Sequence, residues 1–279
     1  MRFVLTRDAE DFAARTERLL SASLECNVLA TLLMSVREGG HRDPPPIFAL
    51  GMTERGEVSF AAMRTPPFPL LASPLGGGDA EPLIEGWLEL DPDVSAVTGV
   101  PETARAITQA WERRTGGTST LTLSEAMHVL TEVHDPPRPA PGTLRLPRPE
   151  ERDLLVGWMQ DFITEAGLIG AAQSAALIDA RMRGQALLVW EHEEPVSMLI
   201  VNPVVSGVVR LGHVYTPPEF RRRGYAGSAV AAASRRALAG GATRCMLFTD
   251  TANPTSNKIY AEVGYRRCGD WEEIAFQPA

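Results

Sequence analysis

The stretch from Asp135 to Glu150, DPPRPAPGTLRLPRPE, holds six prolines in sixteen residues. A proline donates no backbone hydrogen bond and clashes with the preceding turn, so neither a helix nor an inner strand runs through such a segment. The stretch therefore predicts an extended connector and a chain in two units, residues 1–140 and 141–279. A length of 279 residues is enough for two domains of ordinary size. Thr143 to Leu146, inside the stretch, is apolar enough to open the second unit as a strand.

Beyond the connector the punctuation is regular. Leu154, Leu155, Trp158, Met159 and Phe162 recur at helical spacing, which predicts a helix over 150–166. A second, alanine-rich helix follows over 171–183. Apolar runs at 186–190 and 196–205 flank EHEEP and read as a hairpin, and a further strand covers 208–216. A long helix over 224–239 stops at Gly240-Gly241, and 245–249 is a short buried strand. Asn253-Pro254 opens another helix with an N-cap and a proline at its first position. That helix ends at Gly264, and 265–276 closes the unit as one or two strands.

The first half is harder to read. It predicts a long helix from Asp8 to about Met34, a hairpin of 47–52 with 57–64, helices over 80–90 and 101–115, and a strand over 94–100. Leu121 to Val133 fits a strand better than a helix. Gly76-Gly77-Gly78 is a turn; no Lys-Ser/Thr follows it to make a nucleotide-binding P-loop.

The segment Tyr215 to Gly227, YTPPEFRRRGYAG, carries the chemistry. A strand ends, Pro217-Pro218 turns the chain, and three arginines precede Gly224 and a new helix. A helix N-terminus presents unpaired N–H groups and about half a positive charge, which favours anions. Gly224, Ala226 and Gly227 keep side chains small enough for a diphosphate to reach the backbone. Arg221, Arg222 and Arg223 can add charge-assisted hydrogen bonds. Overall the chain is acidic, with a formal net charge of −8, which argues against a general nucleic-acid binder. Lys258 is the sole lysine, so this basic patch is made of arginine alone.

The spacing Arg221-x-x-Gly224-x-Ala226, with Pro218-Glu219-Phe220 before it, resembles the phosphate-loop motif of the GNAT superfamily of acyl-CoA N-acyltransferases. Asn253-Pro254-Thr255-Ser256-Asn257-Lys258-Ile259-Tyr260 and then Val263-Gly264-Tyr265 are similar to that family's second motif. The likeness covers about half the chain, Thr143 to Phe276. It implies an α/β fold: a mixed, mostly antiparallel sheet flanked by helices, in which two strands splay into a V-shaped cleft. It also implies acetyl-CoA as cosubstrate. The backbone of Val214, Tyr215 and Thr216 would hold its pantetheine arm, and Arg221 to Gly227, Tyr225 included, its phosphates. Asn253 and Asn257 lie where family members contact the cofactor arm, and Asn253 is equally an N-cap. Tyr260 corresponds to the family's general acid; a phenol can protonate a departing thiolate. As a residue on its own it is also an ordinary core tyrosine.

A general base is harder to find. The strand 208–215 has no carboxylate, a departure from the family pattern. His213 titrates in a suitable range, but strict alternation turns it away from the Val214 face unless a bulge reverses the strand. Glu165 and Asp161 could line an acceptor pocket, but a solvated helix face is the better reading. His41, His128, His134 and His192 have no motif around them. The cysteines, Cys26, Cys245 and Cys268, have no metal-ligand spacing and read as reduced thiols, mostly core; no metal site is expected.

The resulting expectation is a cytoplasmic N-acetyltransferase acting on a small-molecule amine, without nucleic-acid or membrane partners. The N-terminus lacks a signal-peptide pattern, and no run is long and apolar enough to span a bilayer. A non-catalytic acyl-CoA sensor is the alternative. For the first half two readings stand: a degenerate GNAT-like copy, with Val94 to Trp111 echoing the strand–loop–helix unit, or an unrelated α/β domain. The order of hairpin and helices favours the copy.

Overall fold

The computed structural model describes residues 2–40 and 44–279, so His41 lies outside the described residues. The chain forms two compact units, Met1–Ala126 with Gly269–Ala279, and Met127–Cys268. The division thus falls earlier than the proline-rich connector, and the last strand returns to the first unit. Prolines bar regular structure from the connector, but they do not prevent it from packing against the unit it opens.

The first unit runs β1 (Arg2–Thr6), α1 (Ala9–Leu20), α2 (Asn27–Arg37), β2 (Ile47–Met52), β3 (Val58–Arg64), β4 (Leu70–Ala72), α3 (Ala80–Leu90), β5 (Ala96–Gly99), α4 (Pro101–Thr115) and β6 (Thr118–Leu130). The second runs β7 (Thr143–Arg145), α5 (Arg152–Glu165), α6 (Ser174–Arg183), β8 (Leu187–His192), β9 (Glu194–Val201), β10 (Val208–Tyr215), α7 (Tyr225–Ala239), β11 (Arg244–Asp250), α8 (Pro254–Val263) and β12 (Arg266–Gln277). The two series have the same order of strands and helices. β6 passes from the first unit to the second after Ala126, and β12 passes back after Cys268.

Within the first unit the strand order is β1-β2-β3-β4-β5-β12. Its ladders are antiparallel except β4 against β5, which is parallel. Within the second the order is β11-β10-β9-β8-β7, and there β10 against β11 is the parallel pair. A parallel neighbour requires a crossover, which α3 and α7 supply. The core of the first unit gathers Trp87, Leu83, Ile107, Trp111 and, from the returning strand, Ile274 and Phe276. Trp111 and Phe276 stack at 4.5 Å. In the second unit, α7 and α8 cover one set of strand residues (Leu188, Val209, Leu211, Leu247), and α5 and α6 another (Leu187, Val189, Met198, Tyr215). A sheet apolar on both faces needs both layers.

Several expectations change. The helix expected from Asp8 to Met34 is two helices with a single 3-10 turn, Leu24–Cys26, between them. Ser21 ends the first, its hydroxyl donating to the Arg18 carbonyl at 3.1 Å, which is how serine competes with the helical ladder. Asp8 caps the first helix, its carboxylate accepting from the Glu10 and Asp11 amides. β1 and β4 escaped the sequence reading, because a five-residue terminal strand and a three-residue one are too short to show a period. The segment expected as a strand at 121–133 is strand β6 with bounds Thr118–Leu130, and the closing segment is the single strand Arg266–Gln277.

Candidate functional site

The parallel ladder of β10 with β11 pairs Val208, Val209 and Arg210 with Arg244, Cys245 and Met246, and goes no further. Both strands continue, β10 to Tyr215 and β11 to Asp250. They part from Leu211 onward, which is the expected V-shaped opening. On its other side β10 pairs with β9 at Leu211, Gly212 and Tyr215, with a register shift between Gly212 and Tyr215. A β-bulge therefore occupies His213 and Val214, and neither ladder includes these two residues. A bulge leaves backbone groups unpaired and bends its strand. Here it gives the opening a strand edge whose backbone can pair with an amide-bearing ligand.

The bulge also decides His213, whose φ of 49° lies in the left-handed region. Strict alternation fails at this point, as the sequence reading allowed. The ring is half-buried against Phe162 of α5, centroids 5.3 Å apart, and Nδ1 is buried without a hydrogen-bond partner among the described residues. Burial first, then the charges of Arg210 and Arg181, push its pKa down to about 4. The folded value lies below the ordinary one of ~6.5, so the unfolded chain takes up the proton first. Its contribution to stability is complete above about pH 6.5 and is lost as pH falls toward 4. Denaturant titrations across that window should show the wild type weakening on acidification and His213→Asn weakening less. Asparagine suits this test because it tolerates positive φ. Equal acid sensitivity of the two would rule the histidine out as the cause.

At the end of β10 the chain is tied down by side chains. Ser197 Oγ donates to the Tyr215 carbonyl at 2.8 Å, and Thr216 Oγ1 donates to Ser197 Oγ at 2.9 Å. Arg221 donates from Nε to the Thr216 carbonyl at 2.8 Å and from Nη2 to Glu165 at 2.6 Å, and its guanidinium lies over the Tyr215 ring. Glu165 also accepts from the Tyr215 hydroxyl at 3.2 Å. Burial, and then Glu165, raise the Tyr215 hydroxyl to about 12, so it stays a donor. Glu165 is thus not a bare solvated residue. It joins the end of α5 to the loop after β10, a contact 56 positions apart in sequence that no spacing rule reveals.

The loop itself alternates in handedness. Arg222 has φ 65° and Gly224 φ 83°, with Arg223 between them on the ordinary side. Such alternation turns successive N–H groups inward to form a concave anion cradle. Gly224 is the N-cap of α7 and has no side-chain cap bond, so the first N–H groups of a 15-residue helix face the same cradle. Arg222 and Arg223 are exposed and, among the described residues, form no ion pair; Arg223 lies over the Phe220 ring. Arg221 is engaged with the chain, which leaves these two guanidinium groups for a ligand. Tyr225 is buried instead, its hydroxyl 2.6 Å from His192 Nδ1. Ala226 and Gly227 begin the helix, and the nearest side-chain atom to a β-carbon added at Gly227 is Ile259 at 3.5 Å.

On the far side of the opening, Asn253 caps α8, its Oδ1 accepting from the Ser256 amide at 3.0 Å. Asn257 donates to the carbonyls of Asp250 and Asn253 and fastens α8 to the end of β11. Tyr260 is buried in the α7–α8 core, its ring edge-on to Tyr265 at 6.2 Å. Cys245, also buried there, is pushed up to about 11 by burial, which makes it packing rather than a nucleophile. Among the described residues no helix is long and apolar enough to cross a membrane.

In comparison with known proteins, residues 152–265 match the family model for the acetyltransferase (GNAT) family. No curated protein sequence matches the chain. Solved structures do, over essentially the whole chain. A Drosophila protein superposes with a TM-score of 0.68 at 17% identity, covering 99% of this chain and 98% of its own. A tandem GNAT protein from the clavulanic acid biosynthesis pathway gives 0.63 at 14%, with 99% and 98% covered. A GNAT-family acetyltransferase from Colwellia psychrerythraea gives 0.61 at 12%, covering all of both chains. At such identities the likeness is one of fold, while the family match rests on the sequence itself. The splayed strands, the bulge and the arginine loop all lie within the matched segment, and residues 152–265 of this chain are a GNAT-family acetyltransferase domain.

Proposed function

We propose that the second unit binds acetyl-CoA in the opening between β10 and β11 and transfers the acetyl group to a small-molecule amine. The observation that carries this is the loop Arg221–Gly224: an alternating-handed backbone, an uncapped helix start and two arginines without ion pairs among the described residues form a cradle for a diphosphate. The unpaired edge at His213 and Val214 fits the amide-bearing arm beyond it. Bound there, the thioester supplies an activated acyl group open to attack by a neutral amine. Tyr260, on the helix across the opening, is the group we assign to protonate the departing sulfur. His213 is not assigned as the base, because a group that releases its proton near pH 4 takes one poorly from an ammonium ion. Arg221 and Glu165 hold the loop against the end of β10.

The first unit, in this reading, is a degenerate copy of the same fold. Its order of elements and its parallel β4–β5 pair repeat those of the second. The correspondence differs from the echo sought at Val94 to Trp111: the counterpart of the arginine loop is the turn after β4, Ser73 to Asp79. There Asp79 turns its carboxylate onto the Gly76 amide at 3.0 Å. A carboxylate at this point occupies an N–H group and repels phosphate.

Calorimetric titration with acetyl-CoA tests both statements. One site per chain is expected, followed by thiol release when amines are added. Two sites per chain would refute the degenerate copy, and no binding at millimolar concentration would refute the cosubstrate. Binding without turnover on any amine would leave a sensor in its place.

A further inference from the structure

The connector, which lies outside the matched residues 152–265, is drawn along helix α7. Asp135 pairs with Arg235 in the helix. The Ala140 amide donates to Ser228 Oγ at 2.9 Å, and Trp190 Nε1 donates to the Pro141 carbonyl at 3.0 Å. Between these anchors the Arg138 carbonyl lies against Gly224, where an added β-carbon would stand 2.8 Å from it. The backbone of Arg138 is therefore packed on the residue that opens the phosphate loop's helix. Pro137 and Pro139 on either side restrict it to extended conformations. Arg138 is exposed and, among the described residues, forms no ion pair, and the same holds for Arg222 two positions before Gly224. Two residues with exposed side chains and, among the described residues, no ion pair thus stand beside Gly224, Arg138 by its backbone carbonyl and Arg222 by sequence, from segments more than eighty residues apart.

Coenzyme A carries two separate anionic groups: the diphosphate, and a 3′-phosphate on its ribose. The loop and helix start fit the first, and neither motif provides for the second. We propose that Arg138 is a specificity-determining residue that takes the 3′-phosphate, so that the connector completes the cosubstrate site. The inference rests on the proposed acetyl-CoA site. It adds a residue to that site from outside the family domain, and a class of ligand discrimination, coenzyme A over its 3′-dephospho form.

The test titrates the full-length protein and its Arg138→Gln variant with coenzyme A and with 3′-dephospho-coenzyme A. The wild type is expected to favour coenzyme A by about tenfold, the scale of one charge-assisted phosphate contact. Arg138→Gln should bind coenzyme A about tenfold more weakly and the dephospho form unchanged, so the preference disappears. It is the Arg138 carbonyl that packs on Gly224, so the variant retains the strap, and an unchanged melting temperature checks this. A preference that survives the substitution, or an equal loss for both ligands, overturns the inference while leaving the cosubstrate site standing. If neither ligand binds the wild type, the proposed site itself falls, and the inference with it.

Discussion

Replacing Gly224 with valine should lower acetyl-CoA affinity by about 100-fold, roughly 2.7 kcal/mol. Two effects act together. Gly224 has φ 83°, a conformation a β-branched residue adopts only at a cost of about 1–3 kcal/mol. An added β-carbon would also press to 2.8 Å from the Arg138 carbonyl, so the loop or the connector must move. Either movement turns the cradle's N–H groups away from a bound diphosphate. Gly241→Ala is the control, because Gly241 has φ 99° with open space around it. That variant carries left-handed strain in the same unit and should lose some stability while binding acetyl-CoA normally. Equilibrium titration of both variants decides the matter. Wild-type affinity in Gly224→Val would show that the phosphates lie elsewhere.

Tyr260→Phe is expected to cut kcat by about 100-fold, the lower range for loss of a positioned general acid. Phenylalanine preserves the ring, and so the edge-on packing against Tyr265 and the burial of α8. Affinity for acetyl-CoA should stay within about twofold, since a proton donated to the departing sulfur acts only in the transition state. Measuring kcat and the acetyl-CoA dissociation constant on the same preparation separates this role from a packing role. A core tyrosine whose hydroxyl takes no part in the reaction would leave kcat nearly unchanged. Choosing an amine with a fast chemical step matters, because slow product release would mask the loss.

Gly224 and Tyr260 show how much of the candidate site is legible in the sequence. Arg221 to Gly227 and Asn253 to Tyr260 are contiguous runs, each tied to one helix start. Helix starts are written locally: a cap, a proline at the first position or a glycine fixes them within four residues. The same locality made most of the second unit readable, down to the stop at Gly240-Gly241. Locality was also the limit. Glu165 looked like a solvated helix residue, because its partners Tyr215 and Arg221 lie 50 and 56 positions away. His213 followed alternation until a bulge, set by how β10 divides its pairing between β9 and β11, placed it against Phe162.

The first unit extends the contrast. Its series of strands and helices repeats that of the second, yet the residues show only the echo at Val94 to Trp111 and the order of hairpin and helices, because many apolar sequences satisfy one pattern of periods and layers. The corresponding turns, Gly76 to Asp79 and Arg221 to Gly224, share a place in the fold and no chemistry.

The sequence by itself carried the expectation of two units, most of the element order, the family motifs of the second unit and the glycine, small residues and arginines on which the proposed anion site rests. These are properties of short segments, set by dihedral preference, hydrophobic period and local charge. Tertiary structure alone decided where the units divide, the return of β12 to the first unit, the splay of β10 from β11, the clamp on Arg221 and the seat of Arg138 beside Gly224. Each depends on residues far apart in the chain meeting across a ladder or a packed helix, and the energy of such a meeting is written in neither partner's neighbourhood.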